Sequence, residues 1–211
     1  MRLKKSLFIF TAVIGWLAII IQCYFSVLYS LRTGLSMLQG FIHFLSYFTI
    51  WINTLIAFFL TTYWLKPNSK LSIWFQKSSV NTAIALYILI VAIIYSLLLR
   101  NTWNPTGLEL VADHILHDLI PVLYISQWVF CFRRPGLRWQ HLLYWLILPL
   151  IYLFYVLARG ARVGDYPYPF LNVSQFGYQK VLMNSGGILI GFIVVSLMLF
   201  AVDYVLQKRK P

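Results

Sequence analysis

Six long apolar stretches run through this chain, each close to the length needed to cross a lipid bilayer. A transmembrane helix needs about 20 predominantly apolar residues. The stretches cover residues 7–30, 38–65, 82–99, 112–131, 140–158 and 185–206. Only 10% of the 211 residues are charged, against about a quarter in an average soluble domain. The sequence therefore predicts an all-α polytopic membrane protein, a six-helix transmembrane bundle that forms a single domain over residues 1–211.

The distribution of lysine and arginine predicts how this bundle is oriented. Cytoplasmic loops of membrane proteins carry an excess of these residues. With the N-terminus inside, the cytoplasmic segments hold Arg2, Lys4, Lys5, Lys66, Lys70, Lys77, Arg133, Arg134, Arg138, Lys208, Arg209 and Lys210, and the outer segments hold Arg32, Arg100, Arg159, Arg162 and Lys180. Both termini are therefore expected in the cytoplasm.

The net charge of +12 does not indicate a nucleic-acid partner, because the basic residues form separate short clusters and no continuous basic face.

Polar side chains interrupt two of the apolar stretches. A polar or ionisable group in hydrocarbon costs free energy, so it marks a candidate functional site. The second stretch contains Ser46, Thr49 and Asn53, and the fourth contains His114, His117 and Asp118. Residues three and four apart share a helix face, so each set is expected to form one polar stripe. A threonine and a histidine together can also supply a hydroxyl nucleophile and its base.

The two stripes are expected at similar depths in the membrane. Both stretches run from outside to inside, with Thr49 about 12 Å and His117 about 8 Å from the outer ends of their helices. Thr49 and His117 can then meet if the two helices are neighbours. Asp113, four residues before His117, could orient the imidazole, although it is expected at the wet end of the helix.

Three short motifs resemble those of the bacterial Pr-six-Pr membrane proteins. They are Ser-Tyr-Phe-Thr-Ile-Trp-Ile-Asn at 46–53, His-Asp-Leu-Ile-Pro at 117–121 and Tyr-Pro-Tyr-Pro-Phe-Leu at 166–171. More distantly, the chain resembles the androgen-induced and androgen-dependent (FAR-type) transmembrane hydrolases of animals. Those relatives cleave fatty acid esters of hydroxy fatty acids with a threonine and a histidine. The resemblance implies a bacterial inner-membrane protein.

The same resemblance implies Thr49 as the nucleophile and His117 as its partner, within a His-x-x-His pattern formed with His114. Either histidine can then serve as the base. The expected oxyanion donor is Asn53, with Ser46 second. An alternative for Asn53 is to tie two helices together.

The expected substrate is a lipid-like ester that reaches the site from the surrounding membrane lipids. Arg159 and Arg162, on the outer side, could hold a carboxylate headgroup, although ordinary snorkelling of both side chains towards the interface is the stronger alternative. This interpretation requires no metal and no cofactor.

Two other interpretations of the polar residues remain open. An intramembrane metal or haem site could use donors from His43, His114, His117 and Asp118. A small transporter or binding protein without hydrolase activity could couple to protons through Asp118. However, the sequence shows no inverted repeat and no pair of broken helices of the kind that transporters contain.

Overall fold

Helices account for most of the described chain, as expected where hydrocarbon offers no partner for backbone N–H and C=O groups. The computed structural model describes residues 2–132 and 136–208, and no β-strand occurs within these ranges. Five of its helices are long and apolar enough to cross a membrane. The all-α prediction is confirmed, and the apolar helices support residence in a membrane. Arg133, Arg134, Arg209 and Lys210, which entered the orientation prediction, lie outside the described residues.

The chain divides into two compact units, Met1–Pro135 and Gly136–Pro211. The first unit contains helices α1 (Arg2–Arg32), α2 (Met37–Phe44), α3 (Phe48–Leu65), α4 (Lys70–Phe75), α5 (Ser78–Ile94), α6 (Gly107–His114) and α7 (Ile120–Cys131). The second contains α8 (Gln140–Val163), a short 3-10 turn (Pro169–Leu171) and α9 (Val173–Lys208). The single domain over residues 1–211 stays a prediction.

The core of the first unit forms where α1 packs against α2, α3 and α6. Ala18 of α1, Phe44 at the end of α2 and Leu116 are buried in one apolar cluster. Ile50 and Ala57, one on each side of Asn53 in α3, belong to the same cluster. The polar residues of α3 are therefore held against this core.

The second predicted helix, over residues 38–65, is in fact two helices. Helix α2 ends at Phe44 and α3 begins at Phe48. The backbone N–H of Ser46 donates to the His43 carbonyl at 2.9 Å, which tightens the last turn into an i, i+3 pattern. The Trp51 indole N–H donates to the Leu45 carbonyl at 2.7 Å and so satisfies a group that the broken helix frees. Ser46 and Thr49 consequently do not share a continuous helix.

The fourth predicted helix, over residues 112–131, begins earlier and is not a single α-helix. Helices α6 and α7 are joined by a π turn, Ile115–Leu119, in which the Ile120 N–H donates to the Ile115 carbonyl. A second π turn, Tyr95–Leu99, follows α5, which begins four residues before the predicted residue 82. Such turns insert one extra residue into a helix and are frequent at functional sites.

The remaining predicted boundaries fall short of the observed helices. The first, fifth and sixth predicted segments cover 7–30, 140–158 and 185–206, whereas the helices cover Arg2–Arg32, Gln140–Val163 and Val173–Lys208. The predictions followed the apolar runs alone, and the helices continue into polar flanking residues. Within α9, Gly177 has φ +71° and separates the first residues of the helix from the rest.

Candidate active site

Thr49 is the second residue of α3, immediately after the break that follows α2. Its hydroxyl oxygen Oγ1 lies 3.2 Å from Nε2 of the His117 imidazole. The side chains come from positions 68 residues apart, and both residues are nearly buried, with 7% of Thr49 and 9% of His117 exposed. The expected proximity of this hydroxyl and this imidazole is confirmed.

Pro121 lies in the first turn of α7, next to the π turn that carries His117. Proline has no backbone N–H to donate to the preceding turn of a helix. The N–H of Ile120 reaches five residues back to Ile115, so neither Ile120 nor Pro121 donates to the carbonyl of Leu116. The Asn53 amide Nδ2 fills that position, at 3.3 Å from the Leu116 oxygen. This hydrogen bond links α3 directly to the turn that holds His117.

The second ring nitrogen of His117 faces Asp113, one turn earlier in the same helical segment. Nδ1 lies 3.0 Å from the backbone carbonyl oxygen of Asp113 and 3.0 Å from its carboxylate oxygen Oδ1. Both atoms are acceptors, so Nδ1 carries the proton of the neutral ring. Nε2 is then the unprotonated nitrogen, and the Thr49 hydroxyl donates to it.

The two acceptors on Asp113 are not equivalent. The N–H of the imidazole is directed at the backbone carbonyl, and Oδ1, at the same distance, has no hydrogen bond of its own. Asp113 is fully buried, whereas the sequence placed it at the wet end of its helix. The expected wet position is therefore wrong, because α6 packs against α1 and the Tyr95 hydroxyl covers the Asp113 carboxylate.

Tyr95 completes the surroundings of the His117 ring. Its phenol ring stacks on the imidazole, with 3.9 Å between ring centroids and 12° between ring planes. Its hydroxyl donates to Oδ2 of Asp113, and the residue is 4% exposed. The guanidinium carbon of Arg100 lies 4.7 Å from the centroid of the same phenol ring. Tyr95 therefore contacts both the imidazole and the carboxylate beside it.

His114 and Asp118 belong to a different, more exposed group. His114 Nδ1 lies 2.8 Å from Oδ2 of Asp118, and the Arg100 guanidinium is bonded to both Asp118 oxygens. The His114 side chain is 52% exposed. The expected hydrogen bond between His114 and Asp118 is thus confirmed, and the partner that lowers the cost of the Asp118 charge is Arg100. Of the two histidines, His117 is the one that reaches Thr49.

The expected oxyanion donors are occupied elsewhere. The Asn53 Nδ2 group donates to the Thr49 carbonyl at 2.9 Å and to the Leu116 carbonyl at 3.3 Å, which uses both amide hydrogens. The Ser46 hydroxyl donates to the His43 carbonyl. Neither side chain offers a hydrogen to an oxyanion in this arrangement. Asn53 instead fulfils the alternative role of tying two helical segments together.

Arg159 and Arg162 lie in the second unit, near the end of α8. The Arg159 guanidinium donates to the backbone carbonyl and to the carboxylate of Asp165, each at 2.8 Å. Arg162 is exposed. Their expected role in holding a headgroup stays a prediction.

The observed contacts do not assemble a metal site. Within residues 2–132 and 136–208, no group of three or more His, Cys, Asp or Glu side chains is placed to hold a metal ion. Both ring nitrogens of His117 already face protein groups, and His43 Nε2 lies 3.1 Å from the Tyr47 hydroxyl. The four donors named for the metal or haem interpretation are therefore engaged in three separate groups.

No protein-family model matches this sequence, and comparison with curated proteins and with solved structures gives no match. The interpretation of the site therefore depends on its geometry and on the resemblance of the three motifs.

The sequence patterns single out neither Tyr95 nor Arg100 as a member of the site. Tyr95 lies within the third apolar stretch, and Arg100 is one of the outer basic residues. The sequence pattern that marks these two residues is weak, because it consists only of a tyrosine five residues before an arginine, at the end of an otherwise aliphatic segment. The spacing of four residues identifies Asp113 as a neighbour of His117, but its burial depends on packing between helices that are distant in sequence.

Proposed function

We propose that this chain is an intramembrane esterase in which Thr49 attacks a fatty-acyl ester and His117 accepts its proton. The contact between Thr49 Oγ1 and His117 Nε2, at 3.2 Å, carries this proposal. The distance is at the long end of hydrogen-bond reach, as catalytic contacts often are before substrate binds. The resemblance to threonine hydrolases of lipid esters supports the same assignment.

The proposed reaction has two stages joined by one acyl-threonine intermediate. Thr49 Oγ1 bonds to the ester carbonyl carbon as its proton passes to His117 Nε2. The tetrahedral intermediate then expels the alcohol, which takes the proton from His117, and an acyl-threonine remains. Water next gives a proton to the same nitrogen and attacks the acyl group. As this second tetrahedral intermediate releases the fatty acid, His117 returns the proton to Thr49 Oγ1 and the hydroxyl is restored.

The developing oxyanion needs hydrogen-bond donors close to Thr49. Since Asn53 and Ser46 donate elsewhere, their side chains are poor candidates. The backbone N–H groups in the first turn of a helix have no partner within that helix. The Ile50 and Trp51 N–H groups already donate to the Tyr47 carbonyl, so we assign the oxyanion to the backbone N–H of Thr49, in the first turn of α3.

The proposed setting is the bacterial inner membrane, with six spans and both termini in the cytoplasm. The segment formed by α6, the π turn and α7 would supply the sixth span beside the five apolar helices. A site within such a bundle is reached most directly from the lipid phase. The proposed substrate is therefore a lipid ester that presents its carbonyl to Thr49 from the bilayer.

A fluorophosphonate probe tests the nucleophile. The purified full-length protein in mild detergent should be labelled, and Thr49→Ala should abolish the labelling. The matched control is Thr62→Ala in the same helix, because that hydroxyl bonds only to the Phe59 carbonyl of its own backbone. Equal labelling of the wild type and Thr49→Ala would refute the proposal.

The same assay separates the two candidate bases. His117→Ala should reduce the labelling rate by about 10²-fold or more, the lower end of what general base catalysis contributes. His114→Ala should reduce it by less than about tenfold, because that ring faces Asp118. His141→Ala, in the second unit, serves as the control. A larger loss in His114→Ala than in His117→Ala would assign the base to His114.

A further inference from the structure

The buried group on the far side of the His117 ring suggests a role beyond the Thr49–His117 pair. Oδ1 of Asp113 lies 3.0 Å from Nδ1, is shielded from solvent and has no hydrogen bond. A buried acceptor without a donor is costly. Its cost is offset once the neighbouring imidazole becomes positively charged, because opposite charges attract strongly where water is excluded.

We infer that Asp113 is a positioning residue that stabilises the protonated His117 ring during acyl transfer, and that Tyr95 holds the Asp113 carboxylate in place. This inference rests on the proposed function, since the imidazole becomes charged only when it takes the Thr49 proton. No bond to Asp113 is made or broken. Its charge favours the state in which the proton has moved from Oγ1 to Nε2.

The geometry separates this role from selection of the histidine tautomer. In serine proteases, replacing the third residue of the triad by Asn costs about 10⁴-fold in kcat because the wrong tautomer forms. Here the N–H on Nδ1 already donates to the backbone carbonyl of Asp113, which no side-chain substitution removes. The Asp113 carboxylate therefore does not select the tautomer, and its role is to stabilise the positive charge of the protonated His117 ring.

Tyr95 constrains the carboxylate from two directions. Its hydroxyl donates to Oδ2, which leaves Oδ1 as the oxygen beside the imidazole. Its ring lies flat against His117, so the imidazole cannot tilt away from Asp113. Arg100 lies against the same phenol ring, but it is bonded to Asp118 and not to Asp113. The Asp113 carboxylate thus contacts Tyr95 through Oδ2 and His117 through Oδ1.

Asp113→Asn tests the inference through the kinetics of fluorophosphonate labelling. The maximal labelling rate should fall by about 10²-fold, less than the loss in the protease case, while the half-saturating probe concentration stays the same. Glu109→Gln, one turn earlier in α6, is the matched acid-to-amide control and should keep the wild-type rate. A wild-type rate in Asp113→Asn, with labelling still lost in Thr49→Ala, would refute this inference and leave the proposed function intact.

Nitrogen NMR of protein labelled with ¹⁵N-histidine adds a readout that a loss of packing would not give. The chain has four histidines, so the His117 signals can be assigned by substitution. We expect the neutral ring to keep its proton on Nδ1 in both the wild type and Asp113→Asn. A change of tautomer in the variant would show that the carboxylate selects the tautomer, contrary to the inference.

Tyr95→Phe provides the test if Asp113→Asn does not fold. It removes only the hydroxyl and keeps the stacked ring. The maximal labelling rate should fall by about three- to tenfold, the effect of losing one hydrogen bond of about 1 kcal/mol. An unchanged rate in folded Tyr95→Phe would contradict the role of Tyr95. Persistent labelling of Thr49→Ala would instead remove the proposed function, and this inference with it.

Discussion

At the scale of single residues, the site depends on which polar groups find partners inside the protein. The Asn53 amide has no hydrogen left for the proposed reaction, because it donates to the Thr49 carbonyl and to the Leu116 carbonyl. It therefore fixes the distance between the segment that carries the nucleophile and the segment that carries the base. Thr49 and His117 meet because Asn53 satisfies a carbonyl that Pro121 leaves without a backbone donor.

This dependence predicts a measurable coupling between Asn53 and Pro121. Asn53→Leu should lower the free energy of unfolding by about 1–3 kcal/mol, since it leaves the buried Leu116 carbonyl without a donor. Pro121→Ala restores an N–H in the turn. In that background the cost of Asn53→Leu should shrink, giving a coupling of about 0.5–3 kcal/mol.

Denaturant or thermal unfolding of the four proteins in the same detergent measures the Asn53–Pro121 coupling. Equal costs of Asn53→Leu in both backgrounds would show that Pro121 does not create the unsatisfied carbonyl. The fluorophosphonate labelling rate of Pro121→Ala gives a separate indication, because relaxation of the π turn towards a regular helix would move the His117 ring.

The sequence revealed Thr49 and His117 because a polar residue in an apolar stretch is conspicuous. It revealed less about their neighbours, because the same rule gives no weight to a tyrosine at the end of an aliphatic helix. Asp113 was assigned to the wet end from its sequence position alone. Its burial follows from the packing of α6 against α1 and the approach of Tyr95, which no local pattern encodes.

At the scale of helices, the break between α2 and α3 and the two π turns position the site more than the regular helical segments do. The apolar stretches predict helices and the described chain is all-helical, but their periodicity gives no sign of the break at residues 45–47 or of the two π turns. The break makes Thr49 a first-turn residue, and the π turn re-aims His117. Pro121 is evident in the sequence. That the Leu116 carbonyl lacks a backbone donor, and that Asn53 of another helix replaces it, is not.

Helices α1 and α2 approach each other closely just before the break. Gly40 is buried in α2, and a Cβ added there would lie 2.8 Å from the Cα of Val27. The Ser26 hydroxyl donates to the Gly40 carbonyl at 3.1 Å. Because the obstacle is backbone, a side chain at position 40 forces the two helices apart, and α2 leads directly into the segment before Thr49.

Gly40→Ala should therefore lower the free energy of unfolding by about 1–3 kcal/mol, the usual cost of overpacking. The labelling rate of Thr49 should fall with it. Gly187→Ala is the matched control, because a Cβ at that helical position meets nothing within 4 Å. That variant should be as stable as the wild type or gain up to about 1 kcal/mol from helix propensity. Thermal unfolding in detergent compares the two, and equal stabilities would contradict the packing argument.

At the scale of the whole molecule, the number of membrane spans decides where the C-terminus lies. Five helices meet the criteria of length and hydropathy, and an odd number of spans puts the termini on opposite sides. The segment Gly107–Cys131 is divided by its π turn into two helices that are each too short to cross alone. If this segment crosses as one unit, there are six spans and the termini share a side.

The charge distribution favours six spans. With six, twelve of the 17 basic residues fall on the cytoplasmic side, in agreement with the positive-inside rule. Without the span at Gly107–Cys131, the segments after it change sides, so Arg138 and Lys208 move outside while Arg159 and Arg162 move inside. The basic cluster at the end of α9 would then face the exterior.

Reporter fusions in a bacterial host distinguish these topologies. Green fluorescent protein fused after Pro211 should fluoresce, because it folds in the cytoplasm, and alkaline phosphatase at the same position should be inactive. Alkaline phosphatase inserted at Asn104, between α5 and α6, should be active, because that loop is expected outside. An active phosphatase at both positions would mean that Gly107–Cys131 does not cross, and Thr49 and His117 would then meet at the membrane surface and not within the bilayer.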